Sequence, residues 1–344
     1  MAYQTSPEIV AIMGTVDTFI RARAVRSNKD RKYFRYHPSE WAKCLREQQY
    51  KHYRQLGYIE AEHGLMPSQK YRLFDKGHVL EHRWQMQYFT AMGILRGRWV
   101  CQNPYCLSFN EVGNYNLNKE AWDNGKTRVF GLDNKIGCLK PDRCVCGSED
   151  FAYAQIPVIN DELNFSGSAD IILDYSGLKM DMLEGVRPSY KPEMLPTSPI
   201  VADIKTINSN GYRMLLDNGP SLQYRTQVTI YSHLLGLEYG MLIYENKDDS
   251  SVAGFRIDRN DDIFNCVETQ AILMQKMTKV KALPPPKYAK DSWACKSCDF
   301  ASHCHKQKIW DDPDLEQKRQ KFYGILYEGE PVKKASPYKK RGSR

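Results

Sequence analysis

Residues 199–206, PIVADIKT, have the apolar composition of a buried β-strand but include two charged side chains. Successive side chains of a strand point to opposite faces of the sheet, so Asp203 and Lys205 share one face and Ile204 lies on the other. A buried charge is costly unless it is paired or binds a cation. A sheet that contains this strand must therefore hold a polar site on one face.

Two other segments add polar groups to this site. Asp170 lies in GSADIIL, which has strand alternation and places it in mid-strand, and Gln227 and Tyr231 are one helical turn apart in QVTIY. Carboxylates bind hard cations such as Mg²⁺, which polarise a phosphate and activate water. An ion pair at a sheet edge would explain Asp203 and Lys205 alone. The whole set favours a metal-dependent phosphodiesterase.

The series GSAD, VADIK and QVTIY resembles the motifs of the PD-(D/E)XK nuclease superfamily, in particular its RecB-like exonucleases. These include CRISPR-associated RecB-like nucleases, AddB-type repair nucleases and phage recombination exonucleases. The resemblance implies an α/β fold with a restriction-endonuclease-like core, a mixed sheet flanked by helices. It also implies an upstream helix in which a metal-binding Glu or His follows a glycine by four residues. In DKGHVLEHRWQ this spacing leads from Gly77 to Glu81, with the adjacent His82 as the alternative.

The resemblance assigns a role to each of these groups. The implied ligands of one or two Mg²⁺ or Mn²⁺ ions are Glu81 (or His82), Asp170, Asp203 and the main-chain carbonyl of Ile204. Lys205 is expected to position the attacking water. Gln227 and Tyr231 are expected to organise the bound strand. Together these roles predict a deoxyribonuclease that hydrolyses phosphodiester bonds, with Asp170, Asp203, Lys205, Gln227 and Tyr231 as its catalytic residues.

The last three of the ten cysteines, Cys295, Cys298 and Cys304, follow the pattern C-x2-C-x5-C. Their thiolates can converge on one centre but are one ligand short of a four-coordinate site. RecB-like nucleases with an iron–sulfur cluster take the fourth cysteine from far upstream, and Cys44 matches that position. The resemblance thus implies a structural 4Fe-4S cluster that joins the two ends of the chain. Zinc bound by the same four thiolates is the alternative.

A second set of cysteines predicts a zinc ribbon inserted in the helical region. Cys101-x4-Cys106 and Cys144-x-Cys146 are its two knuckles, although both spacings differ from the usual CxxC. Cys138 is an alternative for one of these ligands.

The order of the predicted elements divides the chain into five regions. They are a helical N-terminal region, 1–97, with Cys44 and the Glu81 helix; a zinc-ribbon-like insertion, 98–150; the nuclease core, 151–283; the iron–sulfur cysteine segment, 284–310; and a helical, then basic and flexible tail, 311–344. Within the first region, apolar residues four apart predict one long helix over 69–97.

The formal net charge of +8 is concentrated in two flanks. Residues 21–35 contain seven basic side chains and one acidic one, and 332–344 contain six basic side chains and no acidic one. The region between them is slightly acidic, so phosphate contacts are expected from the two flanks, with a solvated, disordered tail as the alternative for the C-terminal one. The expected DNA-binding residues are Arg21, Arg23, Arg26, Lys29, Arg31, Lys32 and Arg35.

The expected function is exonuclease action on single-stranded or resected DNA ends in recombination, repair or phage DNA metabolism. A recombinase, helicase or single-strand-binding protein is the expected protein partner. The alternatives are a CRISPR-spacer-processing endo/exonuclease of the same fold and a non-catalytic DNA-binding assembly protein. No P-loop motif is present, which argues against an ATP-driven helicase. The longest apolar runs fall far short of the ~18 residues of a membrane span. We therefore expect no membrane association and a cytoplasmic location in a bacterial or phage-infected cell.

Overall fold

The computed structural model describes residues 11–12, 14–22, 34–59, 68–106, 127–129, 137–144, 146–179 and 192–327. Residues 11–12 and 14–22 are helical. The helices that follow are α1 (Leu45–Gln55), α2 (Ser68–Arg83), α3 (Ser209–Asn218), α4 (Leu222–Leu235), α5 (Asp261–Lys279), α6 (Trp293–Lys296), α7 (Ala301–Cys304) and α8 (Leu315–Tyr323). No helix among the described residues is long and apolar enough to cross a membrane.

The described strands form two sheets. They are β1 (Leu95–Cys101), β2 (Thr127–Val129), β3 (Cys138–Leu139), β4 (Phe151–Ala154), β5 (Ile156–Asn160), β6 (Phe165–Ala169), β7 (Ile171–Leu173), β8 (Ile200–Ile207), β9 (Tyr239–Asn246) and β10 (Val252–Asp258). The central sheet has the order β10-β9-β8-β7-β1-β3, and β4 also pairs with β1. Strands β2, β5 and β6 form the small second sheet.

The central sheet is mixed. Strands β8 and β9 are parallel, and the chain crosses between them through α3 and α4. The other pairs in this sheet are antiparallel. This mixed sheet flanked by helices is the α/β architecture that the sequence predicts.

Each face of the central sheet packs against its own apolar core. Val201 of β8 belongs to the core that includes residues of α1, α4 and α5. Ala202 and Ile204 belong to the other core, together with Trp99 of β1. The alternation along β8 therefore puts Asp203 on the Val201 face, as the sequence predicts.

The predicted helix over 69–97 is wrong at its C-terminal end. α2 ends at Arg83 and continues as one π-helical segment, Trp84–Phe89. Gly93 has a φ of +78°, a conformation that strongly favours glycine, and reverses the chain into β1. β1 alternates buried and half-buried side chains, so its period is that of a strand. The expected region boundary after residue 97 falls inside this strand.

The segment GSADIIL is not one strand. β6 belongs to the small sheet and β7 to the central sheet, and Asp170 lies at the bend between them. The prediction that Asp170 is in mid-strand is thus wrong, because the chain changes sheets at that residue. Helix α3 was not predicted; the side chain of Asn208 caps its N-terminus by accepting a hydrogen bond from the Gly211 amide, at 2.8 Å.

Candidate functional site

Asp170 and Asp203 lie beside each other at the end of β7. β7 is antiparallel to β8 and pairs Ile171 with Ala202, so the residue before Ile171 comes next to the residue after Ala202. The Asp203 side chain is 7% exposed and forms an ion pair with Lys205, Nζ to Oδ2 2.7 Å. The structure therefore brings together the two aspartates and the lysine that the sequence singles out.

Glu81 of α2 joins this group through two glutamine side chains. Nε2 of Gln155 lies 3.1 Å from Oε1 of Glu81 and 2.9 Å from Oδ1 of Asp170. Nε2 of Gln85 lies 3.0 Å from the same Glu81 oxygen and 3.0 Å from the main-chain oxygen of Asp170. His82, the alternative ligand, is exposed on α2. The geometry thus favours Glu81 over His82 as the side chain that α2 contributes to the site.

The carboxylates repel one another in a poorly solvated place. Burial, and then the charges of Asp203 and Glu81, raise the pKa of Asp170 to about 8. Burial and the charge of Asp203 also raise the pKa of Glu81. Burial raises the pKa of Asp203, although Lys205 opposes that effect. This accumulation of negative charge is typical of a cation site and is costly without one.

Lys205 remains positively charged in this environment. Burial alone acts to lower its pKa, but the charges of Asp203 and Asp170 outweigh burial and raise it. Nζ also lies 4.7 Å from the centre of the Tyr224 ring, a cation–π contact with α4. A protonated lysine held in this way can donate hydrogen bonds to an anionic group.

Helix α4 brings Gln227 and Tyr231 to the same side of the sheet. It begins after Ser221 and ends at Gly236, whose left-handed conformation stops the helix. Both side chains are buried. The Tyr231 hydroxyl packs against Gly167 of β6, where a Cβ atom would lie only 2.4 Å from it. Burial first, and then the charges of Asp170 and Asp203, raise the pKa of Tyr231, so it stays a neutral donor near these carboxylates.

The carboxylate site fits a divalent cation. Oδ2 of Asp203 is buried and has no well-directed hydrogen bond within the described part of the chain, despite its close contact with Lys205. Pairing of β8 with β7 ends at Ala202, so beyond it one backbone edge of β8 faces the site. The Ile204 side chain packs in the opposite core, and its main-chain carbonyl is the candidate ligand. Oxygen donors of this kind suit Mg²⁺ or Mn²⁺.

A cluster of four cysteines lies at the far end of β1. The thiols of Cys101, Cys106, Cys144 and Cys146 all lie within 4.8 Å of one another. Sγ of Cys101 is 3.7 Å from that of Cys146, and Sγ of Cys106 is 3.5 Å from that of Cys144. These are the four cysteines predicted to form the zinc ribbon, and together they could hold a metal ion. Cys138, the alternative ligand, contacts the Gly97 carbonyl instead.

The other predicted set of cysteines joins the N- and C-terminal parts of the described chain. Cys44 precedes α1 and accepts a hydrogen bond from the amide of Lys287, at 3.5 Å. Burial first, and then Glu47, raise the pKa of Cys298 to about 12, with smaller contributions from Cys44 and Cys304. Burial likewise raises the pKa of Cys295, again with contributions from Cys44 and Cys304. The four thiols thus interact electrostatically across the junction of the two parts.

Sequence reasoning missed Gln155, Gln85 and Tyr153. The Tyr153 hydroxyl donates to the Asp170 carbonyl, at 2.8 Å. Gln85 is one helical turn beyond Glu81, which is a usable signal, but nothing in the sequence around Gln155 and Tyr153 indicates proximity to Asp170.

The predicted DNA-binding flank falls mostly outside the described residues. The residues outside are Arg23, Arg26, Lys29, Arg31 and Lys32. Arg21 lies at the end of the N-terminal helical residues, and Arg35 pairs with Asp161, with 2.5 Å between NH2 and Oδ1. This part of the prediction stays a prediction.

Comparison with known proteins gives distant structural matches. The solved structure of SSO0001 is 16% identical with a TM-score of 0.40, over 85% of this chain and 97% of that one. An alkaline exonuclease (LHK-Exo) from Laribacter hongkongensis is 13% identical with a TM-score of 0.37, over 73% of this chain and 90% of that one. The structure of LHK-Exo in complex with dAMP is 12% identical with a TM-score of 0.37, over 72% of this chain and 89% of that one. No family model matches the chain, and the search of curated proteins finds no match.

Proposed function

We propose that this protein is a PD-(D/E)XK-type, RecB-like deoxyribonuclease that depends on Mg²⁺ or Mn²⁺. The observation that carries the proposal is the group formed by Asp203, Lys205, Asp170 and Glu81. Three carboxylates with raised pKa values and one protonated lysine meet beside a single strand. A structural ion pair would need only one carboxylate for Lys205. The surplus of negative charge supports a site built for a divalent cation.

The side chains divide the work of phosphodiester hydrolysis. Glu81, Asp170 and Asp203, with the Ile204 carbonyl, would hold the cation, which would polarise the phosphate and activate water when bound. Lys205 would donate a hydrogen bond to the attacking water or to a phosphate oxygen, where negative charge develops. Tyr231 would donate from its neutral hydroxyl, and Gln227 would supply an amide to the bound strand.

We further propose that the substrate is a DNA end, as the motif resemblance implies. The basic flank from Arg21 to Arg35 would supply electrostatic attraction to the phosphates. An exonuclease requires a free end, whereas an endonuclease such as one that trims spacer precursors does not. A non-catalytic DNA-binding protein would leave both kinds of substrate intact.

The two cysteine sets would have structural roles. The compact cluster of Cys101, Cys106, Cys144 and Cys146 suits one tetrahedral zinc ion. The set of Cys44, Cys295, Cys298 and Cys304 would hold a 4Fe-4S core, as the motif resemblance implies. A positively charged core would also stabilise thiolates that burial otherwise keeps protonated.

The proposal is tested by incubating the purified protein with end-labelled linear DNA, single- and double-stranded, and with circular single-stranded DNA. We expect degradation of linear DNA in Mn²⁺ or Mg²⁺, no degradation in excess chelator, and persistence of the circular DNA. Cleavage of circular DNA would instead assign endonuclease activity. Intact substrate under every metal condition, with DNA still bound, would identify the non-catalytic alternative.

A further inference from the structure

The four-cysteine cluster and the carboxylate site lie at two ends of one β-ribbon. Strands β1 and β4 are antiparallel, with Cys101 opposite Phe151 and Arg98 opposite Ala154. Cys101 is a member of the cysteine cluster, and Gln155 directly follows Ala154. Four residues of extended chain separate the two ends, which corresponds to roughly 13 Å.

Among the described residues, Gln155 is the only one that hydrogen-bonds to side-chain oxygens of both Glu81 and Asp170. A primary amide has two N–H donors, and here one is available for each carboxylate. When both carboxylates are ionised, as in a site that holds a cation, both are acceptors, so the amide nitrogen and not the amide oxygen faces them. One side chain thus holds together two groups that repel each other.

Tyr153 of β4 also holds Asp170, through the main chain of that aspartate. Tyr153 donates its hydroxyl to the main-chain oxygen of Asp170, at 2.8 Å. Its ring lies directly over Gly97 of β1, where a Cβ atom would be 2.1 Å from the ring. The ring also packs edge-on against Trp99, with 5.4 Å between centroids. The position of β4 relative to β1 therefore sets where Tyr153 and Gln155 reach the carboxylate site.

We propose that Gln155 is a positioning residue for the divalent-cation site and that the cysteine cluster anchors the ribbon that carries it. Gln155 does not touch the reacting atoms. It holds Glu81 and Asp170 close enough to share one cation, although the two carboxylates repel each other. This inference rests on the proposed function only in that the carboxylates bind a divalent cation.

The first test measures Mn²⁺ binding directly, in the full-length protein with its cysteine sites loaded, by the electron paramagnetic resonance of free Mn²⁺. Residues that orient metal ligands typically contribute 10–100-fold to metal affinity, so Gln155→Leu should weaken Mn²⁺ binding about 10–100-fold. Gln102→Leu is the matched control, because Gln102 directly follows β1 and is exposed, and its side chain donates only to the Val100 carbonyl within the described contacts. Equal Mn²⁺ affinity in the two variants and the parent would overturn the proposal.

The second test examines the link to the cysteines. Cys146→Ser should also weaken Mn²⁺ binding in the parent protein but have little additional effect in Gln155→Leu, because both changes act through one contact. Full additivity of the two effects would overturn the anchoring role. If Gln155→Leu does not fold, Gln155→Asn replaces it, since it keeps the amide and shortens its reach.

These outcomes separate this inference from the nuclease proposal. A parent protein that binds Mn²⁺ through Asp203 but cleaves no DNA would refute the nuclease and leave Gln155 to be judged on binding alone. A parent that cleaves DNA, with Gln155→Leu equal to it in Mn²⁺ affinity and in the Mn²⁺ dependence of cleavage, would refute only the role of Gln155. A parent that binds no Mn²⁺ would overturn both.

Discussion

Nζ of Lys205 lies 2.7 Å from Oδ2 of Asp203, two residues away on the same face of β8. This ion pair neutralises one carboxylate, but the charge of Glu81 raises the pKa of Asp170, and the charge of Asp203 raises the pKa of both. The lysine is therefore one positive charge among three potential negative charges. This imbalance distinguishes the site from an ordinary ion pair at a sheet edge.

Asp170 should make the stability of the protein without divalent cation depend on pH. Its folded pKa of about 8 lies above the usual value of a carboxyl, so its stabilising contribution is complete in acid and is lost as the pH rises towards 8. We predict that Asp170→Asn removes part of this loss and raises Tm near pH 8, measured by scanning calorimetry without added Mn²⁺ or Mg²⁺. Asp217→Asn, at an exposed position of α3, is the control and should follow the parent. A parent Tm that rises from about pH 5 to about pH 8 more than that of Asp170→Asn would contradict this sign.

Replacement of a cluster cysteine should remove zinc. We predict one zinc ion per chain at this cluster, lost in Cys144→Ser because three thiolates bind the ion more weakly. Cys138→Ser should retain the ion, since its thiol faces the Gly97 carbonyl outside the cluster. Metal content by mass spectrometry measures both variants. Equal zinc loss in the two would show that the ligand set is different.

The second set of cysteines should carry iron. We predict that protein purified without oxygen is brown, with broad visible absorption that bleaches on reduction, and that Cys298→Ser loses colour and iron. Cys266→Ser is the control, since Cys266 donates to the Tyr323 carbonyl and is not one of the four cysteines of this set. Anaerobic protein that is colourless and contains two zinc ions and no iron would assign zinc to both sites.

The space beside Gly167 should be required for the position of Tyr231. A Cβ atom at Gly167 would lie 2.4 Å from the Tyr231 hydroxyl, which would have to move. We predict that Gly167→Ala lowers kcat by about 10–100-fold, as misplacement of a catalytic group by about 1 Å does. Gly254→Ala is the matched control on another strand, because the nearest atom to its added Cβ is 3.9 Å away. A Gly167→Ala variant with the parent kcat would argue against a role for Tyr231.

The sequence predicts the parts of this site that depend on local spacing. Alternation alone puts Asp203 and Lys205 on one face of β8, and the spacing of Cys101, Cys106, Cys144 and Cys146 identifies the compact cluster. Gln155 could not be identified in this way, because a glutamine between two short strands has the same local pattern whether it faces solvent or a carboxylate. Its role depends on which strand pairs with β1, and that pairing spans some fifty residues.

Two wrong predictions, the helix over 69–97 and the mid-strand position of Asp170, have a related physical origin. The apolar residues before Gly93 continue the helical spacing, but the helical segment ends at Phe89 and Gly93, with its positive φ, reverses the chain into β1. Asp170 has the alternation of a strand on both sides, but its neighbours belong to different sheets. In both places the tertiary structure overrides a continuous local pattern.

The most direct test of the nuclease proposal compares Mn²⁺-dependent degradation of end-labelled DNA by the parent protein, Asp203→Asn and Lys205→Ala. Asp258→Asn, at an exposed aspartate of β10, is the control. We predict that the parent and Asp258→Asn degrade the DNA, while Asp203→Asn and Lys205→Ala keep the parent's circular dichroism and degrade none. Undiminished degradation by purified Asp203→Asn or Lys205→Ala would contradict the assignment of the active site.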